Sequence, residues 1–198
     1  MSLTAFRNAA GRRISQPFTG LLARSGVHPN TLTLVGVAIS LGAAAVVALG
    51  QFLLGGILVL VAGLFDMLDG AIARASGRTS AFGALLDSTC DRLTEGAMFF
   101  ALTFYYLPLG GTTQVLLAVA ALVGSYLISY VRARAEGLNI ECKVGFFTRP
   151  ERIVVLILGL LLNQVLIALW ILAVLTFATA LQRVLHVWRQ THRKGGRA

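Results

Sequence analysis

Charged residues in this chain fall in clusters separated by three long apolar intervals. Residues 25–65, 96–131 and 153–182 contain no Asp, Glu, Lys or Arg. A helix crossing the hydrocarbon core of a bilayer needs roughly 20 predominantly apolar residues. Each interval therefore suits a helical hairpin, two spans joined by a short uncharged turn. Leu49-Gly50-Gln51, the segment from Leu107 to Thr113, and Leu162-Asn163-Gln164 supply the turns. The pattern predicts an all-α integral membrane protein with six transmembrane helices, at about 31–49, 52–75, 81–106, 113–137, 150–162 and 165–188.

The third interval is the tightest. Split in two, it gives spans of about 22 Å at 1.5 Å per residue, short of the roughly 30 Å core. Arg152 and Arg183, at its borders, are thus expected on helices that run past the interval, partly within membrane depth. Arg132 and Arg134 close the second interval in the same way. Several arginines are so expected to face a cavity at one membrane side.

Composition strengthens the membrane reading. Of 198 residues, 57% are hydrophobic and 13% charged, against about 25% charged in a soluble domain. One membrane domain over 1–198 follows. The hairpins place both termini and all seventeen Lys and Arg residues on one side, and positive residues mark the cytoplasmic side. Both termini and the loops near 76–80 and 138–149 are expected in the cytoplasm, at the plasma membrane. Residues 1–25 alternate Phe6, Ile14, Phe18, Leu21 and Leu22 with Arg7, Arg12, Arg13 and Arg24. They lack the apolar core of a secretory signal and suit an N-terminal interfacial amphipathic helix on an anionic leaflet. Residues 189–198 read as a basic tail. The net charge of +9 does not point to nucleic acid, because the positives border apolar segments instead of forming a soluble basic face. Cys90 and Cys142 are too few for a disulfide framework.

The run from Asp66 to Asp91 breaks the apolar pattern. A carboxylate in or near a bilayer is costly and is usually retained for function. Asp66 and Asp69 are i, i+3 on the second helix, and Gly70 and Ala73 continue their face, leaving room for a ligand beside the backbone. Asp87 and Asp91 are i, i+4 on the third helix, with Glu95 one turn on. A short connection around Gly77 is expected to make the two helices antiparallel neighbours, so that the pairs face each other. Four carboxylates so close repel one another; either some are protonated or cations are bound. Oxygen ligands select Mg²⁺, Mn²⁺ or Ca²⁺, and two such ions form a clamp suited to phosphoryl displacement. Arg74 is placed to bind phosphate. The bland alternative pairs Asp66 and Asp69 with Arg74 and Arg92 as salt bridges. A divalent-cation or proton-coupled transporter is the rival of another class; it requires carboxylates near the midplane, reachable from both sides.

The full run, Asp-x2-Asp-Gly-x2-Ala-Arg-x8-Gly-x3-Asp-x3-Asp from Asp66 to Asp91, resembles the signature of the CDP-alcohol phosphatidyltransferase family at every position. The resemblance implies that an alcohol attacks the β-phosphate of a CDP-linked lipid, such as CDP-diacylglycerol, and releases CMP. It implies that Asp66, Asp69, Asp87 and Asp91 hold two divalent cations, Mg²⁺ or Mn²⁺, with Asp91 also the general base. It implies a homodimer. Arg74 is expected on the diphosphate, with Gly70, Ala73, Thr79 and Gly83 around the nucleotide. Pro29-Asn30-Thr31 is similar to a Pro-Asn segment of the family that places Asn30 near the diphosphate. A plain helix N-cap at Asn30-Thr31 is the equal alternative.

The acceptor must be read outside that run. The fourth, fifth and sixth helices deliver arginines to the side that carries the aspartates, which suits a phosphate monoester. Ser129-Tyr130-Val131-Arg132-Ala133-Arg134-Ala135-Glu136, Arg149-Pro150-Glu151-Arg152 and Gln182-Arg183 resemble the phosphatidylinositol-phosphate synthase branch of the family, with its archaeal archaetidyl counterparts. That implies inositol phosphate as acceptor, with its phosphate bound by Arg132, Arg152 and Arg183; glycerol 3-phosphate is the nearest alternative, since the same arginines could bind its phosphate. Cys90 is expected to pack on a different helix face from the aspartates. Gly36, Gly42, Gly55, Gly56 and Gly63 suit close helix packing.

Overall fold

The turn at residues 49–51 converts the first apolar interval into a hairpin. α1 spans Pro29–Ala48 and α2 spans Phe52–Ala75. Between them Gly50 adopts φ +80°, where a Cβ would be strained. The Leu49 and Gly50 amides close onto the carbonyls of Ala45, Val46 and Val47. α3 spans Ala81–Tyr106 and is capped by Ser80, whose Oγ accepts from the Gly83 N–H at 2.9 Å. α4 covers Thr112–Gly137, α5 Arg149–Leu161 and α6 Val165–Gly195.

The computed structural model describes residues 29–75 and 80–195. Among them there is no strand. The expected interfacial helix over 1–25 lies outside the described residues. Helix bounds match the charge pattern closely, with one difference. α6 continues to Gly195, so most of the stretch expected as a basic tail extends the last helix. The third interval is divided unequally: α5 has 13 residues and α6 has 31. At 1.5 Å per residue α5 is only about 20 Å long, so it cannot span the hydrocarbon core alone. Its start is defined by a capping box, in which the Thr148 N–H donates to the Glu151 carboxylate at 2.8 Å, and by Pro150 in the first turn.

Among the described residues, three helices are long and apolar enough to cross a bilayer by length and composition, within Asn30–Ala48, Thr112–Gly137 and Val165–His192. α2, α3 and α5 are the helices that carry the acidic run or are short. The core joins Ala43 and Val47 of α1, Phe99 and Leu102 of α3, Ala118 and Ala121 of α4, Leu160 of α5, and Leu169 and Leu172 of α6. Outward faces remain apolar, with Leu53, Ile57, Phe100, Phe104, Val119, Val174 and Leu181 exposed. So large an exposed apolar surface fits a lipid solvent. Gly36, Gly55 and Gly56 lie against neighbouring residues that a Cβ would meet, whereas Gly42 and Gly63 face open space.

α1 packs on both α2 and α3, α4 on α3 and α6, and α5 on α2 and α6. Among the described residues, α2 and α3 are not a pair that packs along its length. They converge near their charged ends, and a cleft opens between them with α1 along one side.

Candidate active site

Four stripes with helical spacing line this cleft. α1 contributes Thr33, Gly36, Val37 and Ser40; α2 contributes Val59, Ala62, Gly63 and Asp66; α5 contributes Arg149, Arg152, Ile153 and Leu156. α3 contributes Cys90, Asp91, Thr94, Glu95, Met98 and Phe99. Residues spaced by three and four share a face, so each helix presents one stripe. The cleft is charged at one end, through Asp66, Asp91 and Arg149. It is apolar at the other, through Met98, Phe99, Leu156 and Leu172.

At the charged end one carboxylate oxygen from each of Asp66, Asp87 and Asp91 lies within 4.8 Å of the others. The Asp91 side chain is 12% exposed and that of Asp66 34%, while Asp87 is exposed. Three hard oxygen donors converging from two helices fit a divalent cation such as Mg²⁺ or Mn²⁺. A lone ion pair does not need three. The side chains of Asp69, Ala73 and Arg74, and all of Thr79, lie outside the described residues; Asp69, Gly70, Ala73 and Arg74 continue the α2 helix.

The carboxylates meet an arginine that the motif does not contain. Arg149 Nη1 lies 3.0 Å from Asp66 Oδ2, and Nη2 lies 2.7 Å from Asp91 Oδ1. Arg92 adds a 3.2 Å contact to Asp91 Oδ2. One turn along α5, Arg152 donates through Nε and Nη2 to both Glu95 oxygens, at 2.7 and 3.0 Å. This pair is buried, at 2% and 9% side-chain exposure. Two rungs thus join α5 to the acidic helices. Arg149 sits at i, i+3 from Arg152, and that spacing is a signal the sequence carries.

The three arginines expected to serve the acceptor have unequal surroundings. Arg152 is paired with Glu95. Arg183 is 3% exposed and donates to the Ile128 and Val144 carbonyls at 2.6 and 2.9 Å. Gly145, at φ +147°, lets the 138–148 loop lie against this guanidinium. Arg132 is half-exposed and pairs with Glu136 at 2.8 Å. Arg132 and Arg152 both lie within electrostatic range of Arg183, so the three form one positive neighbourhood.

Asn30 falls in the first turn of α1, after Pro29, so it is not the N-cap. Its Oδ1 lies beside Gly83, where a Cβ would meet it. Cys90, expected on another face, lines the cleft and is buried. It is i+3 from Asp87, so helical spacing already puts it on the acidic face. Thr33 and Thr94 also line the cleft, and no motif marks them. Cys142 is free and wholly buried in the 138–148 loop. Burial pushes its thiol up, against the opposing pull of Arg183 and Arg132, so it stays a neutral thiol.

Fold and site together define a multi-pass membrane protein with a cation-suited acidic centre at one end of a helix bundle. The description "CDP-alcohol phosphatidyltransferase" matches residues 26–190, and the chain belongs to that family of transferases. It is 37% identical to the phosphatidylinositol phosphate synthase of Mycobacteroides abscessus, over 87% of this chain and 82% of that one. It is also 37% identical to the archaetidylinositol phosphate synthase of Methanothermobacter thermautotrophicus, over 90% and 91%. Among solved structures it resembles Mycobacterium tuberculosis phosphatidylinositol phosphate synthase with CDP-DAG bound. That match has a TM-score of 0.82 and 35% identity, covering 89% of this chain and 94% of that one. The same mycobacterial enzyme in complex with manganese and citrate matches with a TM-score of 0.79 at 34% identity, covering 88% of each chain.

Proposed function

We propose that the protein transfers the phosphatidyl group of CDP-diacylglycerol, or the equivalent group of an archaeal CDP-lipid, to myo-inositol phosphate. The products are CMP and a phosphatidylinositol phosphate. The observation that carries this reading is the cleft itself, with acidic residues suited to a cation at one end and an apolar wall leading away. An amphiphile with a diphosphate headgroup fits that gradient. The names of the relatives support the acceptor.

Asp91 takes the proton of the acceptor hydroxyl as its oxygen attacks the β-phosphorus and the bond to CMP breaks. Two divalent cations, Mg²⁺ or Mn²⁺, held by Asp66, Asp69, Asp87 and Asp91, would neutralise the diphosphate and favour CMP as leaving group. Arg74 holds the diphosphate, and Asn30, Gly70, Ala73, Thr79 and Gly83 border the nucleotide. Arg132, Arg152 and Arg183 take the phosphate of the acceptor. Arg152 turns its Nε and Nη2 edge to Glu95, which leaves its Nη1 edge for a phosphate oxygen. In this reading all six helices serve one membrane domain in the plasma membrane, the site and both termini face the cytoplasm, and the protein works as a homodimer.

The test is an acceptor assay on purified protein, with CDP-diacylglycerol and either myo-inositol phosphate or glycerol 3-phosphate. CMP release and the lipid product are followed by mass spectrometry. Phosphatidylinositol phosphate is the expected product. Product from glycerol 3-phosphate alone replaces the acceptor assignment, because the same arginines could bind its phosphate.

A further inference from the structure

Arg149 lies across the gap between two residues of the acidic centre, Asp66 and Asp91, at 3.0 and 2.7 Å. A guanidinium so placed neutralises their repulsion. It also contacts one oxygen of each of these two carboxylates, on which a divalent cation would draw. The lodging is incomplete, because Arg149 Nε is buried without a hydrogen-bond partner among the described residues. A buried donor left unmet is costly, so this seat is held by charge and not by a full set of hydrogen bonds. The backbone beneath it is fixed by the capping box at Thr148 and Glu151.

We propose that Arg149 is the resident counter-charge of the cation site: it holds Asp66 and Asp91 together in the metal-free enzyme and swings out when a divalent cation binds. This rests on the reading of the acidic cluster as a cation site. Guanidinium and cation compete, since both are positive and both draw on the same two carboxylates. Arg149 thus sets the threshold concentration at which the site loads. Once displaced, it remains tethered at the mouth of the cleft.

The experiment titrates Mn²⁺ into the purified full-length protein at pH 8 and follows free Mn²⁺ by electron paramagnetic resonance. Arg149→Gln removes the competitor. Its Mn²⁺ affinity is expected to rise by about fivefold or more, the low end of typical coupling between two ligands. In the absence of metal its Tm is expected to fall, and Mn²⁺ is expected to raise that Tm by more than it raises the wild type's. Arg149→Lys keeps the charge but cannot bridge both carboxylates as a fork does, so its affinity should lie between the two. It serves as the test should the Gln variant fail to fold. Unchanged or weaker Mn²⁺ binding in a folded variant overturns the proposal while leaving the cation site standing. Absence of Mn²⁺ binding in the wild type removes the cation reading and this inference together.

Discussion

The carboxylates and the arginines of this site are built in opposite ways. Asp66, Asp87 and Asp91 come from one continuous stretch of sequence, and their oxygens gather within 4.8 Å. Arg132, Arg152 and Arg183 come from three helices. They share a neighbourhood, but two of them are already engaged: Arg152 with Glu95, and Arg183 with the Ile128 and Val144 carbonyls. The carboxylates repel one another and gain from a ligand that neutralises them. The buried arginines hold helices and a loop in place whether or not a ligand is present. Substitution on the acidic side should therefore read out as chemistry. Substitution on the basic side should mix binding with folding.

Asp91→Asn gives the sharpest test of that contrast and the largest expected effect. The amide cannot take a proton and is a poorer cation ligand. CMP release at saturating Mg²⁺ should fall by roughly 10²–10⁴-fold, the usual worth of a general base, with the protein still folded by size-exclusion chromatography. A rate near wild type moves the base elsewhere and ends the division of labour proposed for the acidic side.

Breaking the Arg152–Glu95 pair comes next. Leaving one partner of a buried ion pair alone costs about 3–5 kcal/mol, so Arg152→Ala should lower Tm markedly as well as acceptor binding. The double variant Arg152→Ala/Glu95→Ala should recover part of the stability but none of the acceptor affinity. Full recovery of both would make the pair purely structural and remove Arg152 from the acceptor site.

The same contrast decides what is legible in the sequence. Period 3.6 carries the geometry of a short motif, so helical spacing alone puts Asp87 and Asp91 on one face. Hairpin positions follow equally well from the charge gaps, because each gap ends where a helix meets polar residues. Long-range packing has no such local signature. A short connection between α2 and α3 suggests that they pack together, yet α1 packs against both and a cleft opens between them. Cys90 lines that cleft instead of another face, although its i+3 spacing from Asp87 is written in the chain. Arg149 stands three residues before Arg152, but only the docking of α5 against α2 aims it at Asp66.

Arg183→Lys probes a smaller effect. An ammonium cannot reproduce the paired donation to the Ile128 and Val144 carbonyls. The 138–148 loop should loosen, which can be measured as faster alkylation of the buried Cys142 thiol. KM for inositol phosphate should rise several-fold, less than the roughly tenfold or more that losing a whole charge-assisted hydrogen bond of about 1.5–3 kcal/mol would cause, while KM for the CDP-lipid holds. Equal changes in both KM values would place Arg183 in the scaffold alone.

Glu136→Gln is the mildest change and isolates the one arginine of the three that is not buried. Arg132 and Glu136 form an i, i+4 pair with both side chains half-exposed, at 51% each. Such a pair contributes only about 0.3–0.5 kcal/mol, so Tm should hardly move. If Arg132 serves the acceptor phosphate, Glu136 competes with that phosphate for the guanidinium. Removing the competitor should then lower KM for inositol phosphate slightly, and Arg132→Gln should raise it with the same unchanged Tm. Opposite shifts in KM at constant stability would mark Arg132 as a binding group without a scaffold role, which neither buried arginine can show. If neither variant moves KM, Arg132 drops out of the acceptor site, and the basic side reduces to Arg152 and Arg183.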